Sequence, residues 1–194
     1  NDNKVEQYDY TRDFTITEID AEKIDKSKFR GNMIDLNTKV SRQTFMKKMN
    51  PHPTNPASIQ YPANGHLHLH GTIPDDELRC PTTLDENGYP CLIVMKDGGV
   101  TGLTFGRVNN IMSFVREEDE NGIPQTSKKW AILPYDRISG PFSAQGDAGA
   151  VVVDGHGRIL GLLAGLEGPM GSSYVTPISV IMKSVKAKYP NASL

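Results

Sequence analysis

Residues 140–150 read Gly-Pro-Phe-Ser-Ala-Gln-Gly-Asp-Ala-Gly-Ala and lead into the apolar run Val151-Val152-Val153. Gly146 and Gly149 can adopt backbone angles that strain other residues. They therefore suit a tight loop in which several N–H groups turn toward one point, as in an anion-binding nest. The β-branched run that follows predicts a buried strand.

Further strands are predicted on both sides of this loop, at residues 91–95, 100–108, 111–116, 129–135, 157–165 and 173–177. Near the C-terminus, apolar residues recur at helical spacing between Ile178 and Val185, which predicts a closing amphipathic helix over residues 177–188. The 18 glycines and 13 prolines favour many turns. The sequence therefore predicts an all-β fold with a C-terminal helix.

Two motifs carry a resemblance to a known family. The run Gly146-Asp147-Ala148-Gly149 resembles the Gly-Asp-Ser-Gly nucleophile loop of trypsin-like (chymotrypsin-fold) serine proteases, with Ala148 in place of the serine. Residues 96–106 are similar to a second family signature, Lys-x-Gly-x-x-Thr-Gly-x-Thr-x-Gly, which occurs in divergent members that include predicted fungal ones. The resemblance covers roughly residues 66–190.

The resemblance implies chymotrypsin-like antiparallel β-barrels in two lobes. Residues 63–194 would form a complete C-terminal barrel with its closing helix, and residues 1–62 the remnant of an incomplete N-terminal lobe with a Pro-rich connector. In the family, the catalytic histidine comes from the first barrel. We therefore expect an N-terminal lobe fragment carrying that histidine to be a separate partner or to have been lost by processing, for which autocleavage is one route.

Proteases of this family cleave peptide bonds through an acyl-enzyme, and an alanine methyl cannot attack a carbonyl. The intact loop favours a trypsin-like serine endopeptidase that is inactive because Ala148 occupies the nucleophile position. The alternative is a non-catalytic pseudoprotease that binds a peptide or a partner protein in the same groove. A peptide or protein is the expected ligand in both cases.

The resemblance also assigns roles around position 148. The N–H groups of Gly146 and residue 148 would form the oxyanion hole. Asp147 would support the loop by pairing with a new N-terminus or another cation, unless it is a plain turn carboxylate. Phe142 falls near the floor of the specificity pocket and would favour an apolar substrate side chain. Backbone partners for an extended substrate would come from Leu163, Ala164 and Gly165.

The candidate for the triad acid is Asp13. It opens residues 13–19, whose alternating apolar and polar side chains predict a half-buried strand. This segment resembles the family strand whose Asp orients the catalytic histidine. Thr15 replaces the expected alanine, so a surface Asp that caps a strand is the other interpretation.

Three histidines alternate in the predicted strand at residues 66–73: His66, His68 and His70. They are most simply half-solvated, with Leu67 and Leu69 on the buried face. A zinc site is a second interpretation, although no carboxylate or cysteine falls at a typical partner spacing. In the third, His70 is the catalytic base, which would reverse the family order of His, Asp and Ser. The catalytic histidine thus stays unassigned, and no metal or cofactor is predicted.

Composition argues against a nucleic-acid-binding, membrane-spanning or disulfide-rich secreted protein. With 37% apolar and 23% charged residues and a net charge of −2, the chain reads as an ordinary globular protein without a basic patch for nucleic acid. No apolar run approaches the roughly 20 residues that would cross a bilayer. Two cysteines are too few for a secreted disulfide framework, and no signal-peptide pattern is present, so an intracellular location is slightly favoured.

Overall fold

The computed structural model describes residues 14–29, 31–118 and 122–194. The elements that precede the main sheet are short: a 3-10 turn (Ala21–Lys23), strand β1 (Met33–Asp35), helix α1 (Arg42–Met49), strand β2 (His66–His68) and helix α2 (Asp75–Arg79). Strands β1 and β2 pair antiparallel. The hydroxyl of Ser41 caps α1 by accepting a hydrogen bond of 3.1 Å from the N–H of Thr44, as expected for a serine just before a helix.

Six antiparallel strands form a closed barrel in the order β3-β4-β5-β8-β7-β6, and β6 pairs back to β3. The strands are β3 (Ile93–Gly98), β4 (Gly102–Glu118), β5 (Pro124–Pro134), β6 (Val151–Asp154), β7 (Ile159–Glu167) and β8 (Ser173–Pro177). A 3-10 turn (Pro169–Gly171) joins the last two, and helix α3 (Ile178–Lys188) follows β8. The predicted all-β barrel with a closing helix is confirmed.

The core of the barrel is filled by large side chains from several strands. Trp130, Ile132 and Phe142 are fully buried in one cluster with apolar residues of β3, β6 and β8. Gly106 makes room for this packing, because a Cβ at that position would lie 2.7 Å from Cδ2 of Phe142. Dense interdigitation of this kind holds the barrel strands in register.

The segment before the barrel shares its core. Phe45 and Met49 of α1 pack in the same buried cluster as Ile93 and Met95 of β3. The pairing of β1 with β2 also crosses residue 62, so no break in packing falls there. The division of the chain at residue 62 stays a prediction.

The strand expected at residues 13–19 is wrong for the part that the structure describes. Residues 14–20 belong to no helix or strand, and Ile16 and Ile19 are 49% and 66% exposed. Alternating side chains form a strand only where another strand pairs with them. The strand expected at residues 66–73 is also shorter than predicted, because β2 ends at His68.

The described helices are short, and α3 is the longest at 11 residues. None of the helices among the described residues is long and apolar enough to cross a membrane. Both cysteines are free: Cys80 is exposed and Cys91 is buried. Burial raises the pKa of the Cys91 thiol to about 11, so this side chain stays protonated at neutral pH.

Candidate active site

The loop between β5 and β6 turns tightly around residues 144–150. The N–H of Asp147 donates to the carbonyl of Ala144 at 3.0 Å, and the N–H of Ala150 donates to the carbonyl of Asp147 at 3.0 Å. Gly146 and Gly149 have φ angles of 99° and 82°, in the left-handed region that favours glycine. The sequence motif therefore folds into the tight loop that its glycines predict.

Three backbone N–H groups of this loop, those of Gln145, Gly146 and Ala148, have no protein acceptor among the described residues. Gly146 and Ala148 are exposed and flank the buried Asp147. Within the described residues, the N–H groups of Gly146 and Ala148 donate to no protein acceptor. Exposed N–H groups without an internal partner can bind an oxyanion.

The side chain of Asp147 fixes the loop from beneath. Its carboxylate is 1% exposed and accepts hydrogen bonds of 2.8 and 3.2 Å from the N–H groups of Val100 and Thr101. The Thr101 hydroxyl donates to it at 2.6 Å, and the N–H of Ala144 at 3.1 Å. The ammonium of Lys96, fully buried, lies 3.1 Å from the same carboxylate. The hairpin that joins β3 and β4 therefore anchors the loop.

These partners set the protonation of Asp147. Burial alone raises the pKa of its carboxyl, but the hydrogen bonds from Thr101, Val100 and Ala144 and the contact with Lys96 outweigh burial. Together they hold the pKa of Asp147 well below its usual range. The carboxylate is therefore charged throughout the neutral and mildly acidic range.

This depressed pKa predicts an acid-sensitive fold. An Asp in the unfolded chain titrates near 3.9, and Asp147 in the folded chain titrates lower. Its stabilisation is thus complete above a pH of about 4 and is lost as the pH falls toward the folded value, because only the unfolded chain takes up the proton. Urea unfolding between pH of about 2 and 7 is expected to show this fall. Asp147→Asn should show a shallower slope, and an equal slope would contradict the prediction.

The end of β7 runs beside position 148. Leu163 is buried, and its N–H and carbonyl bond to the carbonyl of Ala150 and the N–H of Gly149 at 2.9 and 2.8 Å. The register with β8 then breaks between Leu163 and Glu167, so Ala164 and Gly165 hold no paired position among the described strands. A Cβ on Gly165 would lie 3.0 Å from Cβ of Ala148. The structure thus brings Ala164 and Gly165 beside the loop, beyond the last registered pair of β7 with β6, which joins Val151 and Leu162.

Phe142 lies in the core rather than on the surface of a groove. Its side chain is 0% exposed, and its carbonyl accepts a 2.6 Å hydrogen bond from the hydroxyl of Thr104. The next residue, Ser143, is also buried, and its hydroxyl lies 2.6 Å from that of Ser173 on β8. The segment that leads into the loop is therefore fixed from both sides.

No histidine contact among the described residues reaches this loop. The N–H of His70 donates to the carbonyl of Gly157 at 3.0 Å, beyond the far end of β6 from Ala148. The four residues of β6 alone span about 13 Å at roughly 3.3 Å each, which is too far for proton transfer. His66 instead lies 3.8 Å from Asp35, and His68 is exposed. The role of His70 as catalytic base stays a prediction, since its described backbone contact is with Gly157.

Asp13, the candidate acid, lies outside the described residues. Among those that are described, no group of three His, Cys, Asp or Glu side chains is arranged to hold a metal ion. The three histidines of residues 66–70 therefore form no such group.

Sequence reasoning did not assign the partners of Asp147. Lys96, Gly98 and Thr101 all belong to the motif at residues 96–106, and each faces the Asp147 carboxylate: Lys96 and Thr101 bond to it, and a Cβ on Gly98 would collide with it. The motif at residues 96–106 was thus the sequence signal for the contacts with Asp147. Its Lys, Gly and Thr line the site that holds the Asp147 carboxylate of the Gly146–Gly149 motif.

No protein-family model and no curated protein sequence matches the chain. Among solved structures, the chain is similar to a glutamic-acid-specific serine protease that uses a histidine triad in substrate binding (20% identity, TM-score 0.37, 71% of this chain and 60% of that chain). It is also similar to the chymotrypsin of Cellulomonas bogoriensis (15% identity, TM-score 0.40, 68% and 63%). A third is a protease of M. tuberculosis in its active form (16% identity, TM-score 0.39, 69% and 63%). The chain spans 60 to 63% of the length of these structures, which are chymotrypsin-like serine proteases.

Proposed function

We propose that this chain carries the nucleophile barrel of a trypsin-like serine endopeptidase, in which Ala148 stands at the position of the attacking serine. The chain as it stands binds substrate but forms no acyl-enzyme, because a methyl group has no lone pair to attack with. The observation that carries this proposal is the pair of unused N–H groups on Gly146 and Ala148, held on either side of the buried Asp147.

The two N–H groups suit the oxyanion of a tetrahedral intermediate. Preorganised donors of this kind stabilise a developing negative charge by a few kcal/mol each, and they act through the backbone whatever side chain position 148 carries. The loop is fixed by bonds from the Asp147 carboxylate rather than from Ala148. The oxyanion hole is therefore preserved without the serine.

The part of β7 that lies beyond its last registered pair with β6 suits the backbone of an extended peptide. An added strand gains affinity from main-chain hydrogen bonds and specificity from alternate side chains. Ala164 and Gly165 lie in this part of β7 beside position 148, and Leu163 ties it to the loop through its two backbone hydrogen bonds. The ligand class is thus a peptide or an unfolded protein segment. Because the ring of Phe142 is buried, it would support the floor of an apolar substrate pocket without being exposed to the substrate.

With serine at position 148, the hydroxyl would attack the peptide carbonyl while a histidine accepts its proton. The same proton then passes to the departing amine as the C–N bond breaks, and water later hydrolyses the ester. None of the described histidine contacts reaches residues 143–149. We therefore place this histidine in an N-terminal lobe, together with the acid for which Asp13 is the candidate.

The proposal is tested by restoring the nucleophile. Ala148→Ser is expected to react with a fluorophosphonate probe at residue 148 when an N-terminal lobe with a catalytic histidine is present, because the loop already holds the oxyanion hole. Mass spectrometry of the labelled peptide locates the modified residue. Labelling of the isolated Ala148→Ser chain would instead mean that this chain supplies its own base.

Two proteins serve as controls. The parent differs only by the hydroxyl and should stay unlabelled, and Ala144→Ser places a serine in the same loop away from the free N–H groups and should stay unlabelled too. Failure to label Ala148→Ser in both forms would contradict an endopeptidase. If the parent nevertheless bound an extended peptide, the groove would belong to a non-catalytic binding protein.

A further inference from the structure

A lysine lies fully buried in β3, directly beneath the loop of residues 144–150, which we call the nucleophile-type loop. The side chain of Lys96 is 0% exposed, and its ammonium lies 3.1 Å from the Asp147 carboxylate. The ammonium also donates to the hydroxyl of Thr101 and, at 3.1 Å, to the carbonyl of Gly102. A fourth neighbour is the ring of Phe142, whose centroid lies 5.9 Å from the ammonium. A lysine is almost never buried this deeply unless it is paired, so Asp147 is its structural counterion.

The same carboxylate has no acceptor site left for another cation. Ionised carboxylates offer about four lone-pair sites. Asp147 already receives the N–H groups of Val100 and Thr101 on one oxygen. Its other oxygen receives the Thr101 hydroxyl, the N–H of Ala144 and the Lys96 ammonium. An α-amino group from elsewhere in the chain would have to displace one of these donors.

We propose that Lys96 is a positioning residue that holds the nucleophile-type loop in its binding form, so that no cation from outside the barrel is needed. This inference rests on the proposed function for its significance, since the donors that it positions are those of Gly146 and Ala148. The ammonium acts through Asp147, whose backbone joins these two residues. The site is therefore formed as soon as the barrel folds, without release of a new chain N-terminus by cleavage.

Hydrogen exchange tests the proposal in the parent chain without any substrate. The N–H groups of Asp147, Gly149 and Ala150 are bonded within the loop and its contact with β7, so they report whether the loop is closed. In Lys96→Met these three amides are expected to exchange about 100-fold faster or more, because the carboxylate loses its counterion and the loop opens locally. The amide of Val108, bonded to the carbonyl of Leu92 in the barrel, should keep most of its protection. A merely structural role would lower protection at Val108 by the same factor.

Two further proteins keep the result decisive if Lys96→Met fails to fold. Thr101→Val preserves the shape of the side chain but removes the hydroxyl that bridges Lys96 and Asp147, and it should speed loop exchange by about tenfold. A parent chain whose N-terminus is blocked by an extension should show no change. Unchanged loop protection in both Lys96→Met and Thr101→Val would overturn the proposal. Opening of the loop by the N-terminal extension would overturn it as well, because an external ammonium would then be holding Asp147.

These outcomes are independent of catalysis. Loop exchange is measured with Ala148 in place, so a failure of fluorophosphonate labelling leaves the result for Lys96 unaffected. Conversely, a loop that stays closed in Lys96→Met would not change how the labelling of Ala148→Ser is interpreted.

Discussion

Asp147→Ala is expected to lower the free energy of unfolding by about 3 to 5 kcal/mol, the largest loss for any charged residue considered. The change leaves the buried ammonium of Lys96 without its counterion. It also leaves the N–H groups of Val100 and Ala144 without the acceptor that they have in the parent. Each donor that loses its acceptor without gaining a water partner adds its own desolvation cost. Urea unfolding followed by the fluorescence of Trp130, the single and fully buried tryptophan, measures the loss.

Asp97→Ala is the matched control. Asp97 lies on the same strand as Lys96 but pairs at the surface with Lys39, where the two side chains are 24% and 36% exposed. Surface ion pairs contribute about 0 to 1 kcal/mol, so this variant should unfold close to the parent. A loss of stability for Asp147→Ala as small as that for Asp97→Ala would contradict the prediction, because the buried Lys96 ammonium would then need no carboxylate.

Phe142→Ala is expected to cost about 3 to 5 kcal/mol, because it empties a fully buried ring position in a dense core. The ring fills the space that the absence of a side chain on Gly106 creates, and it covers the Lys96 ammonium. Its loss should therefore also speed exchange in the loop of residues 144–150. Urea unfolding gives the first quantity and hydrogen exchange the second.

Phe114→Ala removes the same side chain from a surface position of β4. Phe114 is 58% exposed and its ring centroid lies 5.3 Å from the Lys128 ammonium, so the change should lower the free energy of unfolding by at most about 1 kcal/mol. A Phe142→Ala protein as stable as Phe114→Ala would show that the ring is not part of the core. Under the proposed endopeptidase function, Phe142→Leu keeps the core filled and is the variant in which to measure substrate preference with serine at position 148.

The elements around the loop were predictable because their local patterns agree with their burial. Val152 and Val153 are fully buried in β6, and the helical spacing near the C-terminus places Ile178 and Ile181 in the core. The glycines of the loop predicted a tight turn, because they permit backbone angles that strain other residues. Local pattern and tertiary position coincide in all of these elements, which is when sequence reasoning succeeds.

The rest depended on partners that lie far away in the chain. A lysine in an apolar strand is ordinarily expected to point to solvent, and only the contact with Asp147 explains why Lys96 is buried. Phe142 precedes the loop in sequence, but the gap above Gly106 places it in the core. The strand expected at residues 13–19 failed in its described part for the same reason, since no described strand pairs with it.

The anchoring of the loop through Asp147 has an evolutionary consequence. The described bonds that fix the loop come from other residues, and Ala148 contributes a backbone N–H and a methyl group. A single codon change between serine and alanine at position 148 would therefore leave these bonds, and with them the folded barrel, in place. Either residue at this position is compatible with the same fold, so an exchange between them needs no compensating change elsewhere in the chain.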